Sequence, residues 1–171
     1  VAQVVKNAGD IAYRGFELDG IYSLTNTVTM VGSVGYVHSK YENLISDLTG
    51  DFIIDALDYA LEIPRAAPLT YSLGFNIDGN IGSWRSITRI SYYHRDKSYY
   101  NENNQGYINK QDILNFGYDI YSPDGKINIG IYGKNLSNEV KHGGDTNLSF
   151  GGTFAPLAKG KIVGAEVVYK F

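Results

Sequence analysis

Leu69-Thr70-Tyr71-Ser72-Leu73-Gly74-Phe75-Asn76-Ile77 is the stretch from which the fold of this chain can be read. Its large apolar side chains, Leu69, Tyr71, Leu73, Phe75 and Ile77, stand at every second position, with Thr70, Ser72, Gly74 and Asn76 between them. That period of two is a β-strand with one apolar and one polar face. Directly after it, Asp78-Gly79-Asn80-Ile81-Gly82 supplies the chemistry of a tight hairpin turn. Two more short connections, Thr25-Asn26 and Pro123-Asp124-Gly125, carry similar turn residues, whereas the stretches 42–68, 96–109 and 136–158 are long and irregular. Short turns therefore alternate with long loops. A barrel that crosses an outer membrane is laid out in this way, with short turns at its periplasmic rim and long loops at its outer rim.

Other segments repeat the alternation. Leu114, Phe116, Tyr118 and Ile120 oppose Asn115, Gly117, Asp119 and Tyr121, and Ile127, Ile129 and Ile131 oppose Asn128, Gly130 and Tyr132. Over 11–24, Phe16, Leu18, Gly20, Tyr22 and Leu24 oppose Gly15, Glu17, Asp19 and Ser23; over 159–171, Val163, Ala165, Val167, Tyr169 and Phe171 oppose Gly164, Glu166, Val168 and Lys170. The strand over 27–41 has Val28, Met30, Val34 and Tyr36 on its apolar face, blurred by Val31 and Val37 on the other. Pattern alone leaves 83–94 ambiguous, because Arg85, Arg89, Ser91 and Tyr93 share a face with Ile87. The arginines are assigned to the inside, since an Arg on the lipid face at the bilayer midplane costs about 2–4 kcal/mol and a lumenal one finds water or a carboxylate.

With a partial strand over 1–5, the expected fold is an all-β, antiparallel transmembrane barrel segment of about eight up-and-down strands, each near the length that crosses a bilayer when tilted. The link from Lys6 to Asp10 is short for the long-loop rim, so the first two segments also read as one bulged strand. Aromatics are expected in two belts, with Tyr36, Tyr41, Tyr92 and Tyr93 toward the long loops and Tyr22, Trp84, Tyr118, Tyr121, Tyr169 and Phe171 toward the short turns.

Composition agrees with this layout. Fifteen Tyr and twenty Gly among 171 residues suit membrane interfaces and strand bends. No run of eighteen apolar residues exists, which excludes a transmembrane helix but leaves barrel strands allowed. A net charge of −3 with dispersed Lys and Arg argues against a nucleic-acid partner. The absence of Cys removes disulfides, thiol nucleophiles and Cys-ligated metals. The chain opens on Val1-Ala2-Gln3-Val4-Val5 without a signal peptide, which reads as a piece of a longer protein.

No catalytic constellation is present. There is no Gly-x-Ser-x-Gly elbow, no phosphate-cradling loop and no dinucleotide fingerprint, so neither enzyme activity nor a cofactor is expected. Asp47, Asp51, Asp55, Asp58 and Glu62 crowd the 42–68 loop, but their spacing departs from a calcium loop and an acidic surface is the readier account. A short helical turn is expected within Asp51 to Leu61. His38, His94 and His142 are read as isolated rim histidines. The loop 98–109 is different. Tyr99, Tyr100 and Tyr107 supply flat stacking surfaces, Asn103 and Asn104 supply donors and acceptors, and the mixture suits a polar ligand or a plain adaptable loop.

Several segments together resemble the C-terminal part of a TonB-dependent outer-membrane receptor. Asn7-Ala8-Gly9-Asp10 followed by Arg14-Gly15-Phe16-Glu17-Leu18-Asp19 resembles that family's Asn-x-Gly loop and Lys/Arg-Gly-hydrophobic-Glu strand. Thr29 to Tyr41 is similar to its strand returning to the cell surface, and Ile63-Pro64 with Pro68 to its proline-marked loop. Gly133-Lys134-Asn135-Leu136-Ser137-Asn138-Glu139 resembles its penultimate strand and exit, and Val163 to Phe171 its closing strand. The resemblance covers residues 1–171 and implies a nutrient receptor, with a ferric siderophore as a typical ligand. It further implies outer-membrane lipid around the barrel, TonB acting through a plug absent here, and recognition by the barrel assembly machinery through Val167, Tyr169 and Phe171. The plug, the TonB box and the earlier strands of a barrel of about 22 are missing. Gly164 has the spacing of the assembly signal relative to Val167 and Tyr169, but Phe171 lies two residues beyond.

Two other readings stand beside this one. A complete eight-stranded barrel with an anchoring, adhesive or lipid-modifying role requires its first and last strands to pair. A soluble β protein requires the apolar faces of two sheets to pack together. The face assignment predicts that Ile129→Arg impairs membrane assembly by about 2–4 kcal/mol while Asn128→Arg is tolerated. Heat-modifiable mobility of the assembled barrel on gels checks it, and equal tolerance at both sites would contradict it.

Overall fold

Pairing turns the alternation of single strands into a property of a whole sheet. The computed structural model describes residues 7–141, 146–148 and 152–171, and of 146–148 and 152–154 the backbone alone. In chain order the elements are β1 (Gly9–Ser23), β2 (Val28–Leu44), α1 (Ala56–Tyr59), β3 (Leu69–Ile81), β4 (Trp84–Arg95), β5 (Ser98–Tyr99), β6 (Tyr107–Ile108), β7 (Gln111–Tyr121), β8 (Ile127–Lys134), β9 (Thr146–Leu148), β10 (Gly152–Phe154) and β11 (Ile162–Tyr169). One seven-stranded sheet runs β1-β2-β3-β4-β7-β8-β11, and β5-β6 and β9-β10 are small ladders within the long connections. Every pairing in the large sheet is antiparallel.

Residues paired across a ladder share a face, so register decides which side each residue takes. Leu18, Val34 and Tyr71 are linked in turn, as are Phe75, Ile90 and Phe116, and Ile120, Ile129 and Val167. All lie on one side. The other side carries Asp19, Ser33 and Ser72 in one row, then Asn76, Arg89 and Gly117, then Asp119, Gly130 and Glu166. Arg89 donates to Asp119, which is 5% exposed, and Ser33 Oγ lies 2.7 Å from Ser72 Oγ. The arginines of β4 thus stand on the polar side, as the sequence predicts.

Among the described residues nothing forms a second layer over the apolar side. Among the described residues the buried apolar side chains are Tyr41, Leu44, Leu48, Ile63 and Ala67, all at the long-loop end. Phe16, Leu18, Val163 and Val167 are 59–71% exposed. A soluble sandwich would bury such residues against another sheet. β1 and β11 each have one neighbour in the sheet, so the described strands do not close on themselves as a complete small barrel would.

Several expectations shift in detail. The partial strand over 1–5 lies outside the described residues, and the other seven of the about eight expected strands make up the sheet among the described residues. The register of β1 and β2 shifts between Asp10 and Ile11, where Glu42 is the extra residue, so the bulge lies on β2; the expected joining of 1–5 to the first strand falls outside the described residues. The β3–β4 ladder continues through Asn80↔Arg85 to Ile81↔Trp84, so the turn is Gly82-Ser83 and not the whole of 78–82. Gly82 has φ +60, which a two-residue turn with glycine first requires. Arg85 Nη2 reaches Asp78 Oδ1 at 2.6 Å and ties the last pairs of that hairpin. Tyr93 and Tyr121 pair with Ser72 and Arg85 on the polar side, and Tyr41 is buried under a loop, so these three leave the belts.

The Asn135 segment explains one of the motifs. Asn135 is 8% exposed at φ +50, and its side chain donates to the carbonyls of Glu139 at 3.1 Å and Lys159 at 2.9 Å. Its Oδ1 accepts from the Glu139 amide at 2.9 Å, while its own amide donates to Asn115 Oδ1 at 2.9 Å. Asn135 therefore ties the exit of β8 to the approach to β11 through its side chain and to Asn115 of β7 through its amide. In the final strand Gly164 faces Tyr132, and an added Cβ would meet the phenol at 2.5 Å. Glycine there lets the ring lie across the strand. Asn135→Ala leaves two part-buried carbonyls without that donor and is expected to destabilise the assembled barrel by about 1 kcal/mol. Denaturant unfolding in detergent checks this, and an unchanged midpoint would contradict it.

Candidate functional site

The long connections meet above the polar face. Tyr41 pairs with Ile11 and shares the parity of Val37 and Ser39 on that face, and it is covered together with Leu44 by Leu48 and Ile63. Segment 45–68 therefore leans over the polar side. It is held there by acids that turn inward. Asp58, fully buried, accepts from the amides of Leu48 at 2.7 Å, Thr49 at 2.9 Å and Asp55 at 3.0 Å. Asp47 accepts from Gly50 at 2.7 Å and Phe52 at 2.6 Å, and Asp55 caps α1 through the Leu57 amide at 2.7 Å. The helical turn expected within Asp51 to Leu61 is this short helix.

These bonds set the loop's electrostatics. The Asp55 amide, followed by those of Thr49 and Leu48, holds the Asp58 carboxyl below the ordinary carboxylate range against the opposing effect of burial. Asp47 is lowered in the same way, first by the Gly50 amide. Both carboxylates are spent on backbone amides. Among the described residues no group of three or more His, Asp or Glu is placed to hold a metal ion.

The second loop docks on the first through Asn104. Its Oδ1 accepts from the Glu62 amide at 2.8 Å and its Nδ2 donates to the Glu62 carbonyl at 2.8 Å, a two-point clamp made possible by φ +54. The Arg65 amide donates to the Tyr99 carbonyl at 2.7 Å. Arg95, on the polar side of β4, donates to the buried Ser98 Oγ at 2.9 Å. Loops 45–68 and 96–110 thus form one cap.

On this cap three tyrosines gather two cations. The Arg65 guanidinium lies 4.7 Å from the centroid of the Tyr100 ring. Lys97 Nζ lies 4.4 Å from the Tyr99 ring and 4.7 Å from the Tyr107 ring, and donates to Tyr99 Oη at 3.3 Å. Exposed cation–π contacts are worth about 0.5–1 kcal/mol each, enough to orient the cations without neutralising them. The result is an aromatic surface with fixed positive charge, suited to a flat anionic ligand.

Of the sequence-derived residues, Tyr99, Tyr100 and Tyr107 share this array. Asn103 Oδ1 accepts from the Gln105 amide at 3.2 Å, and Asn104 holds the loops together. Sequence alone missed Arg65 and Lys97. Lys97 left a trace, since a residue two before Tyr99 shares its side in extended chain; Arg65 left none, because it arrives from another loop. Of the rim histidines, His94 stacks on Tyr71 at 4.7 Å between Asp112 at 2.6 Å and Asp96 at 3.1 Å, His38 is exposed on β2, and His142 lies outside the described residues.

The architecture is a single-layer sheet with one apolar side, one polar side and a loop cap at one rim. Solved structures share it. The chain aligns with the ferric yersiniabactin uptake receptor FyuA from Yersinia pestis at a TM-score of 0.79 and 15% identity, over 96% of this chain and 24% of that one. It aligns with BauA, the ferric preacinetobactin receptor from Acinetobacter baumannii, at 0.71 and 16%, over 95% and 22%. With the siderophore receptor PiuA from Acinetobacter baumannii the values are 0.72 and 15%, over 94% and 22%. The chain spans about a quarter of these receptors' lengths, and at such identities the likeness is one of fold. No family model and no curated protein matches the sequence.

Two outcomes follow from the cap. Asn104→Ala is expected to speed hydrogen exchange at the Glu62 amide at least tenfold, and unchanged exchange would show that the loops are not clamped there. Because the Asp58 carboxyl is lowered in the folded loop, its contribution is full above its unfolded value near pH 4 and is lost as pH falls through the folded one. Protection of the Leu48 and Thr49 amides, corrected for intrinsic exchange, should hold from pH 7 to 5 and fall at lower pH; pH-independent protection would refute this.

Proposed function

We propose that this chain is the C-terminal part of the barrel of a TonB-dependent outer-membrane receptor that takes up a scarce nutrient such as a ferric siderophore. The observation that carries the reading is the sorting of seven paired strands into one exposed apolar side and one polar side, with no second layer among the described residues to cover the apolar side. A lipid bilayer covers such a surface, and the polar side then lines a hydrated lumen. The fold shared with three siderophore receptors supports the same assignment.

In this function the cap is the outer vestibule. Arg65 and Lys97 attract an anionic ferric complex, and Tyr99, Tyr100 and Tyr107 stack against its planar groups, with Asn103 at the edge of the site. Uptake depends on a plug and a TonB box on the remainder of the receptor, and no catalytic step is involved. Val167, Tyr169 and Phe171 act earlier, presenting the closing strand to the assembly machinery; Tyr169 and Phe171 pack edge to face at 5.2 Å.

Two measurements test the reading. An antibody against loop 96–109 should detect, in outer-membrane extracts, a polypeptide several times heavier than this chain, whereas a band of the chain's own mass would overturn the receptor assignment. In the whole receptor, exchanging Arg65 and Lys97 together for Ala should weaken binding of an anionic ferric siderophore about tenfold or more, with Asp51→Ala as a neutral control. Equal affinity would remove the cap from the binding site.

A further inference from the structure

We propose that His94 is a proton-operated latch on the stem of loop 96–110, closed while its imidazole carries a charge and opened when that charge is lost. The latch stands on the geometry of the loop stem; its consequence for ligand capture rests on the receptor reading above. The ladders set His94 opposite Tyr71 on β3 and opposite Asp112 on β7, one pair from the loop end of β4. Two residues further on, Asp96 donates its amide to the Leu69 carbonyl at 2.9 Å, the bond with which this segment leaves β3. Lys97 follows and already belongs to the array of cations and tyrosines. The ring therefore sits between the sheet and the loop that carries the array.

Both ring nitrogens are engaged by carboxylates. Nδ1 lies 2.6 Å from Asp112 Oδ1, and Nε2 lies 3.1 Å from Asp96 Oδ1. A neutral imidazole has one N–H and one lone pair, so only the doubly protonated ring donates to both acids. The two acids are not equally held. Asp112 also accepts from Tyr92 Oη at 2.8 Å and pairs with Lys110 Nζ at 3.2 Å. Among the described residues Asp96 has the ring as its sole ion-pair partner. On β3 the group facing the ring is Tyr71, stacked at 4.7 Å with an interplanar angle of 17°. Tyr93 and Arg95 lie on the polar side of β4, where Arg95 donates to Ser98.

This asymmetry decides what opens. When the ring gives up a proton, the hydrogen that stays is the one on Nδ1, because Asp112 lies closer and is kept anionic by Tyr92 and Lys110. Nε2 then turns a lone pair toward Asp96, acceptor against acceptor, and no cation is left between the two carboxylates. The Asp96 side chain, 36% exposed, swings to water, and the loop loses its side-chain tether at its first residue. Lys97 and the tyrosines it gathers are then held from fewer points. In the receptor reading, capture of an anionic ferric complex weakens as pH rises through this transition.

The test uses the whole receptor in detergent, any other cysteine replaced, with a nitroxide carried by Gln105→Cys on an exposed position of the loop. Between pH 6 and pH 9 the mobile component of its spectrum is expected to grow about threefold or more. Two variants separate a latch from a plain structural contact. In Asp96→Asn the amide accepts from the charged ring and donates to the neutral one, so the label should stay ordered across the range. In His94→Gln no charge can be taken up, and the label should be equally mobile throughout. His38→Gln and His142→Gln remove the other two imidazoles of the chain and should leave the response intact. An unresponsive label, a response that survives in Asp96→Asn or His94→Gln, or one abolished by His38→Gln or His142→Gln would each overturn the proposal. Heat-modifiable mobility reports whether the variants are folded, and the nearly isosteric Asp96→Asn decides the matter if His94→Gln is not. A protein that stays soluble without detergent would sink the outer-membrane reading, whereas a detergent-dependent barrel whose label ignores pH would sink only the latch.

Discussion

Everything in this chain depends on the register of its antiparallel ladders. A strand offers each side chain one of two faces, and a slip of one residue exchanges them all. Across six interfaces the register never slips within the body of the sheet, and the one shift, at Asp10 and Ile11, lies at the loop end where the wall gives way to the cap. The same ladders satisfy the backbone. In hydrocarbon each unpaired amide or carbonyl costs several kcal/mol, so a wall that faces lipid must be hydrogen-bonded strand to strand.

That constraint explains the odd distribution of burial. A soluble domain of this length hides its large apolar residues, but here Leu18, Val163 and Val167 are open while Asp58 is fully enclosed. The inversion has two local causes. In the sheet, apolar residues are turned toward the side that lipid covers in the proposed setting. In the loops, water surrounds the cap, and carboxylates hold it rigid by accepting backbone amides that no ladder can serve. Wall and cap are thus stabilised by opposite chemistry, joined at Tyr41 and through the bond from Arg95 to Ser98.

The wall was legible in the sequence because period two is a local signal. Leu69 to Ile77 and Leu114 to Ile120 could be assigned without any partner, and even the ambiguous β4 followed once the cost of an outward arginine was weighed. Strand ends were less legible: the 78–82 stretch has turn-forming composition throughout, yet Asn80 pairs with Arg85 and only Gly82-Ser83 turns. The cap was largely hidden. Asp58 reads as one more surface acid until Leu48, Thr49 and Asp55 are seen around it, and Arg65 meets Tyr100 across a long separation that no spacing rule reaches. Motifs taken from resemblance gained physical meaning from the geometry, since Asn135 ties the exit of β8 to β7 and to the approach to β11, and Gly164 is the seat of Tyr132.

The most direct measurement follows β3 residue by residue. The chain has no cysteine, so single Cys substitutions at Ser72, Leu73, Gly74, Phe75, Asn76 and Ile77, in the whole protein with any cysteine elsewhere replaced, can each carry a nitroxide in a bilayer. The account predicts that labels at 73, 75 and 77 collide with lipid-dissolved oxygen and those at 72, 74 and 76 with a water-soluble nickel complex, in strict alternation. Equal access of both reagents along the strand, or the reverse alternation, would contradict it.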